Sequence, residues 1–383
     1  MNKSRKIEDI QALRAIAILF VLVHHINGSL ITMLDPIWSS PFFQKFYSYF
    51  GGEVGVDLFF VISGFVIARG ILPKIENNWS SGNSSQVLIV FWAKRAFRLL
   101  PSAWFWLSMT IIFSILFNSS GAFGTFRSAF EGAVAGVLNV ANIRFMECYG
   151  YFECGPSVVY WSLSLEEQFY LIFPVIAIIL RKNLTIALMI LLLSQFFEYF
   201  SVPGVFRFTG LVLGVLIAIF SRSDVCAQLL PKAPNKYGHL KTVMIGFLFL
   251  LLATVLGPDL HIVSGSLKYD MAALISGVLV LLASYNRNFM TGNGLLRQVL
   301  LYFGARSYAI YLVHMPAFYL TREVFFVSNQ VFISPLIMLT AYISLAFTLT
   351  LIMAELSYQF VENYWQQRGS KIISRLSARG ETS

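Results

Sequence analysis

Apolar runs recur along the chain, many close to the ~20 residues a helix needs to cross a bilayer core, with short polar or basic breaks between them. Backbone polar groups in lipid must bond internally, so such runs become helices. The pattern predicts ten spans, at roughly 13–33, 54–72, 99–118, 159–180, 184–201, 205–221, 242–257, 270–285, 299–320 and 332–356. The fifth and sixth are short, and Pro203-Gly204 separates them. The Ala- and Gly-containing segment 122–145 is expected outside the membrane or re-entering it. The predicted fold is an all-α polytopic transmembrane helical bundle. It forms one membrane domain over 1–365, and a short basic cytoplasmic tail over 366–383 reads as a helix at the inner surface.

Composition supports lipid as the main solvent. Of 383 residues, 57% are apolar or aromatic and only 12% are charged. A soluble domain carries about a quarter charged residues. The net charge of +9 does not indicate nucleic acid, because the basic residues are scattered between apolar runs, as in the cytoplasmic loops of membrane proteins. With the N-terminus inside, 22 of the 28 Lys and Arg fall on the inner side. The outer side holds Lys45, Arg127, Arg144, Arg207, Lys268 and Arg322. Both termini are therefore expected in the cytoplasm. Lys3, Arg5 and Lys6 precede the first run as in a signal peptide. The run's length, the interruptions at Arg14, His24 and His25, and the lack of a small-residue cleavage site mark it as a retained span. Three cysteines are too few for a disulfide scaffold. Cys148 and Cys154 fall in an outer loop where an oxidising compartment allows a disulfide, and Cys226 falls inside.

Ionisable residues within spans are costly and mark candidate sites. Arg14 and His25 are eleven residues apart, which places them about 20° from alignment on one helix face and roughly 16 Å apart along the axis. His24 is turned about 80° away and reads as a packing residue. Asp57 opens the second span, where an anion also suits the helix dipole. Lys94, Arg95 and Arg98, framed by aromatics in an inner loop, suit a phosphorylated ligand or anionic lipid. Ser162 and Glu166 share a face of the fourth span, and Glu166 and Glu167 cannot both face lipid. Tyr311 and His314 share a face of the ninth span. Glu362 reads as a structural ion-pair partner. There is no phosphate-binding glycine loop, HExxH or CxxC motif, and five scattered histidines give no metal site.

In order, the chain carries Arg14 with His25, Gly55-Val-Asp-Leu-Phe-Phe-Val-Ile-Ser-Gly-Phe65, Lys94-Arg95-x-x-Arg98-x-x-Pro101, Trp161-Ser-Leu-Ser-Leu-Glu-Glu-Gln-Phe-Tyr170, Ser307-Tyr-x-Ile-Tyr-Leu-x-His314 and Ser357-Tyr-x-x-x-Glu362. Together these resemble the bacterial acyltransferase-3 family from residue 9 to about 365. The resemblance implies transfer of an acyl group, usually acetyl from acetyl-CoA, to a hydroxyl of an extracytoplasmic glycan or lipid-linked saccharide, at the bacterial inner membrane. Under it His25 is the general base or the acyl carrier, and Arg14, Glu166 and Tyr311 complete the catalytic set. Lys94, Arg95 and Arg98 hold the CoA phosphates. Asp57, Ser162, His314 and Glu362 are acceptor-side or structural. Expected partners are acyl-CoA, the glycan acceptor and membrane lipids, with no metal and no nucleic acid. Many members of the family add a soluble hydrolase-like domain. Nothing large follows the last span here, so acceptor chemistry is expected within the membrane domain or with a partner. A proton-coupled secondary transporter using the same buried residues is the rival, but no inverted repeat supports it.

Overall fold

A computed structural model describes residues 7–30, 40–79, 84–195, 207–229, 238–259, 267–290, 294–328 and 334–380. It is 84% helical, with no strand among the described residues. The helices are α1 (Glu8–Ser29), α2 (Pro41–Tyr49), α3 (Val54–Asn77), α4 (Ser84–Leu116), α5 (Phe126–Val137), α6 (Ala141–Cys148), α7 (Tyr160–Leu180), α8 (Leu184–Gln195), α9 (Thr209–Phe220), α10 (Asp224–Leu229), α11 (Gly238–Val255), α12 (Leu267–Ser284), α13 (Leu295–Ser328), α14 (Pro335–Leu356) and α15 (Asn363–Gly380).

A helix overlaps each of the ten predicted spans. Six stretches are long and apolar enough to cross a membrane: Glu8–Ser29, Pro41–Asn77, Ser84–Leu116, Tyr160–Gln195, Leu267–Ser284 and Pro335–Ser374. Two others, Thr209–Phe220 and Thr242–Val255, are apolar but shorter. Helix α13 is long but carries Arg297, Arg306, Arg322 and Glu323. The segment 122–145 forms α5 and most of α6. The Pro203-Gly204 break lies outside the described residues.

One expectation is corrected. Residues 91–101 are not a loop but the middle of α4, which runs through Pro101. The aromatic and apolar residues before Lys94 continue the helical period, so three cations break the hydropathy without breaking the helix. Proline removes one N–H from the ladder, and a packed helix tolerates that loss. At 1.5 Å per residue, α4 is about 50 Å long against a hydrocarbon core of about 30 Å.

The described chain divides into two compact units. The first comprises Met1–His24, Pro41–Pro73 and Leu180–Ser307. In it α3 and α9 cross backbone to backbone. A Cβ on Gly64 would lie 2.0 Å from the Leu211 carbonyl oxygen, and one on Gly214 2.2 Å from that of Val61. Small residues at such a crossing let helices approach in lipid. Asp9, fully buried, accepts the amides of Phe289 and Met290 at 2.9 Å each.

The second unit comprises His25–Ser40, Lys74–Ile179 and Tyr308–Ser383. Buried and half-buried donors tie α4 to its neighbours: Tyr308 donates to the Leu99 carbonyl at 2.8 Å, Tyr160 to that of Ala103 at 3.1 Å, and the Trp106 indole to Ser357 at 2.9 Å. A donor left unmatched in lipid would be costly, so these bonds fix the register of the helices. Cys148 and Cys154 are joined by a disulfide. A short π-helical turn, Ser357–Glu362, leads into α15. There Gly369 and Ile373 are buried while Arg368 and Lys371 are exposed. A Cβ on Gly369 would lie 2.5 Å from Phe97.

Candidate active site

Consecutive histidines on α1 have different surroundings. His24 belongs to the first unit, with its Nε2 3.8 Å from a Glu53 carboxylate oxygen. His25 belongs to the second, with its ring 4.9 Å, centre to centre, from the ring of His314. The helical phase that separates His24 from His25 in the sequence therefore separates their partners in the structure.

His314 is fully buried on α13. Its Nδ1 lies 2.7 Å from the carbonyl oxygen of Tyr311, one turn back. A carbonyl only accepts, so Nδ1 carries the proton and Nε2 presents a lone pair. Pro316, two residues on, has no N–H for the Leu312 carbonyl, so the helical ladder is already interrupted at this turn. Among the described residues, Nε2 of His314 is buried and has no hydrogen-bond partner.

The Tyr311 hydroxyl, also buried, lies 2.6 Å from the Ser162 hydroxyl on α7 and 3.0 Å from the Val159 carbonyl. Ser162 is itself 3.3 Å from that carbonyl. Two O–H protons and one carbonyl close the trio in either donor order, so both protons are used within it. Glu166, one turn along α7 from Ser162, is half-buried and interacts electrostatically with Tyr311 and with Arg95. The second unit thus gathers His25, His314, Tyr311, Ser162, Glu166 and Arg95.

On α4, Lys94 is exposed, while Arg95 and Arg98 are half-buried. The Arg95 guanidinium lies 5.3 Å from the Tyr170 ring and 5.6 Å from that of Phe91. The Trp92 indole donates to the Tyr170 carbonyl at 3.0 Å, fixing this stretch of α4 on α7. Among the described residues, Nε of Arg98 is buried without a hydrogen-bond partner, a donor suited to an anion. An apolar groove of about 700 Å³ lies alongside, walled by Phe97, Pro101, Trp104, Phe360, Tyr364 and Trp365. None of the candidate catalytic side chains lines it.

Other predicted residues lie apart from this cluster. Arg14 is half-buried in the first unit, eleven residues along α1 from His25. Asp57, 2% exposed, is in the first unit and pairs with Arg207 at 3.1 Å. Arg207 also reaches Glu53 at 3.5 Å, and its guanidinium covers the Tyr269 ring at 3.6 Å. Glu362 is buried in the π-helical turn and accepts from Gln366 at 3.0 Å. No group of three or more His, Cys, Asp or Glu able to hold a metal ion occurs among the described residues.

Sequence reasoning missed several polar anchors. The sequence alone marks Arg207 only as an outer charge. Gln168 donates to the Asn139 carbonyl at 2.8 Å and to Asn142 at 2.9 Å. With Ser164, which accepts the Ala141 amide at 3.1 Å, it secures the turn between α5 and α6. Part of the Trp161–Tyr170 motif is therefore structural. Glu323 accepts the amides of Ser119 and Ser120 at 2.7 and 2.8 Å. The local signal for each was only a polar residue in an apolar stretch.

The fold and this cluster define a polytopic helical membrane protein with a histidine-centred site. Residues 7–355 match the acyltransferase domain family Acyl_transf_3, and the chain belongs to that family. The chain is 27% identical over 397 residues to the putative peptidoglycan O-acetyltransferase YrhL of Bacillus subtilis, covering 97% of this chain and 56% of the relative. It is 26% identical over 393 residues to the peptidoglycan O-acetyltransferase OatA of Listeria monocytogenes, covering 96% and 57%. Against the O-acetyltransferase OatA of Staphylococcus aureus it is 25% identical over 403 residues, covering 98% and 60%. The chain thus spans under two thirds of the length of these relatives. No solved structure matches it.

Proposed function

We propose that the chain is an O-acetyltransferase of the bacterial inner membrane. It takes acetyl from acetyl-CoA on the cytoplasmic side and transfers it to a hydroxyl of an extracytoplasmic glycan, with peptidoglycan the favoured acceptor. The observation that carries this reading is the family match over residues 7–355, a range that includes His25, Arg95, Glu166 and Tyr311. The names of the relatives favour a glycan acceptor. The charge split supports both termini inside, which places α4's cations at the cytoplasmic face. A disulfide in the α6–α7 connection fits an oxidising exterior.

In this mechanism the acceptor hydroxyl attacks the thioester carbonyl while His25 takes its proton. The tetrahedral intermediate collapses, the C–S bond breaks, and the departing thiolate takes the proton back as CoA-SH. Arg95 and Arg98 hold the phosphates of the donor, and a hydrogen-bond donor stabilises the oxyanion. Tyr311 or Ser162 serves that role only after releasing a bond within its trio with Val159. The test is direct: purified protein in proteoliposomes is given labelled acetyl-CoA and a soluble glycan, and labelled ester is measured. Label on the glycan that depends on His25 is expected. No transfer to any glycan tried, with no hydrolysis of acetyl-CoA, would overturn the reading.

A further inference from the structure

We infer that His314 is the positioning partner of His25, the acceptor that receives the second N–H of His25 as that ring becomes charged. The inference rests on the reading of His25 as the base.

His314 has an unusual pattern of partners. Its Nδ1 proton is committed to the Tyr311 carbonyl at 2.7 Å, which fixes the tautomer. Its Nε2 lone pair is buried and has no hydrogen-bond partner among the described residues. A buried acceptor normally has a donor, and one left open carries a desolvation penalty. Three rings surround it: His25 at 4.9 Å, Tyr311 at 5.6 Å and Phe318 at 5.8 Å between centres. Phe318 has no proton to give. The Tyr311 proton is used within its trio with Ser162 and Val159. His25 is the remaining ring with a transferable N–H.

The chemistry gives that contact a purpose. Neutral His25 has one bare nitrogen and one N–H. When the bare nitrogen takes the acceptor's proton, the ring becomes an imidazolium with two donors. One donor returns its proton to the leaving thiolate. The other lies on a ring 4.9 Å from that of His314, whose open Nε2 lone pair is an acceptor for it. A catalytic base is generally oriented by a third group in this way. The proton shared with His314 stays on His25 while the one taken from the acceptor hydroxyl goes to the thiolate, so nothing is oxidised, reduced or consumed.

Two substitutions separate this role from packing. In His314→Asn, the amide keeps a donor near the position of Nδ1 and loses the far acceptor. In His314→Gln, the amide places an oxygen near the position of Nε2. At equal membrane abundance, His314→Asn is expected to lower kcat roughly 10²-fold with KM for acetyl-CoA unchanged. His314→Gln is expected to stay within about tenfold of the parent protein. An active His314→Asn, or equal loss in both variants, overturns the proposal. If His314→Asn fails to accumulate, His314→Gln decides: retained activity supports the role, and lost activity at normal abundance overturns it. An active His25→Ala would instead overturn the reading of His25 as base. A dead His25→Ala with an active His314→Asn would overturn only the partnership.

Discussion

The His25 ring sits 4.9 Å from the His314 ring, centre to centre, although the two residues lie near opposite ends of the chain. His24, the residue before His25, faces Glu53 instead. Removing His25 is therefore expected to abolish acetylation in cells while leaving membrane abundance normal, since loss of a general base costs about 10² to 10⁴ in rate. His24→Ala is expected to keep most activity. Ester content of the cell-wall glycan, measured by mass spectrometry for each variant, checks both. Labelled acetyl trapped on the protein with acetyl-CoA alone would mark His25 as an acyl carrier rather than a base.

The α4 cations differ in exposure, and that predicts an order of effects. Arg95→Ala and Arg98→Ala are expected to raise the KM for acetyl-CoA several-fold or more, with kcat less affected. Lys94→Ala, at the exposed position, should change it less. Steady-state kinetics on purified variants decides the matter. An unchanged KM in both arginine variants would leave those side chains as membrane anchors.

The Asp57–Arg207 pair is buried, so breaking one half leaves an uncompensated charge. Such losses cost about 3–5 kcal/mol. Arg207→Ala is expected to lower the unfolding midpoint in detergent sharply. Arg207→Ala combined with Asp57→Ala should recover part of the loss. A double variant no more stable than Arg207→Ala would remove the pair from the stabilising contacts.

Thiol labelling tests the cysteines and the topology together. In denaturant without reductant, one cysteine, Cys226, should react; after reduction, three should. A reporter active only outside the cytoplasm, fused after Ser383, should be silent. Full reporter activity there would reverse the proposed orientation.

Much of this was legible in the chain. Apolar runs located the helices because lipid leaves few other structures for such a run. The eleven-residue spacing put Arg14 and His25 on one helix, and α1 is unbroken from Glu8 to Ser29. What escaped was pairing between distant helices. No local spacing connects His25 with His314, or Asp57 with Arg207, because helix packing decides which polar residue meets which. The Lys94–Arg98 stretch misled for another reason. Charge lowers hydropathy without opposing the helix, since lysine and arginine are good helix formers. The Gln168 anchor depends on Asn139, whose φ of 56° makes the turn between α5 and α6, and nothing in the surrounding residues announces that backbone.

The continuity of α4 has a last consequence. A flexible loop would let Lys94, Arg95 and Arg98 find a ligand from many directions. On a helix their bearing is set by phase, at 100° per residue. One uncharged residue inserted between Arg98 and Pro101 would keep the net charge and barely change hydropathy, yet swing all three cations about a quarter turn relative to the buried part of the same helix. The site is in that sense aimed, and its aim depends on the length of the α4 segment between the cations and the membrane-buried part of the helix.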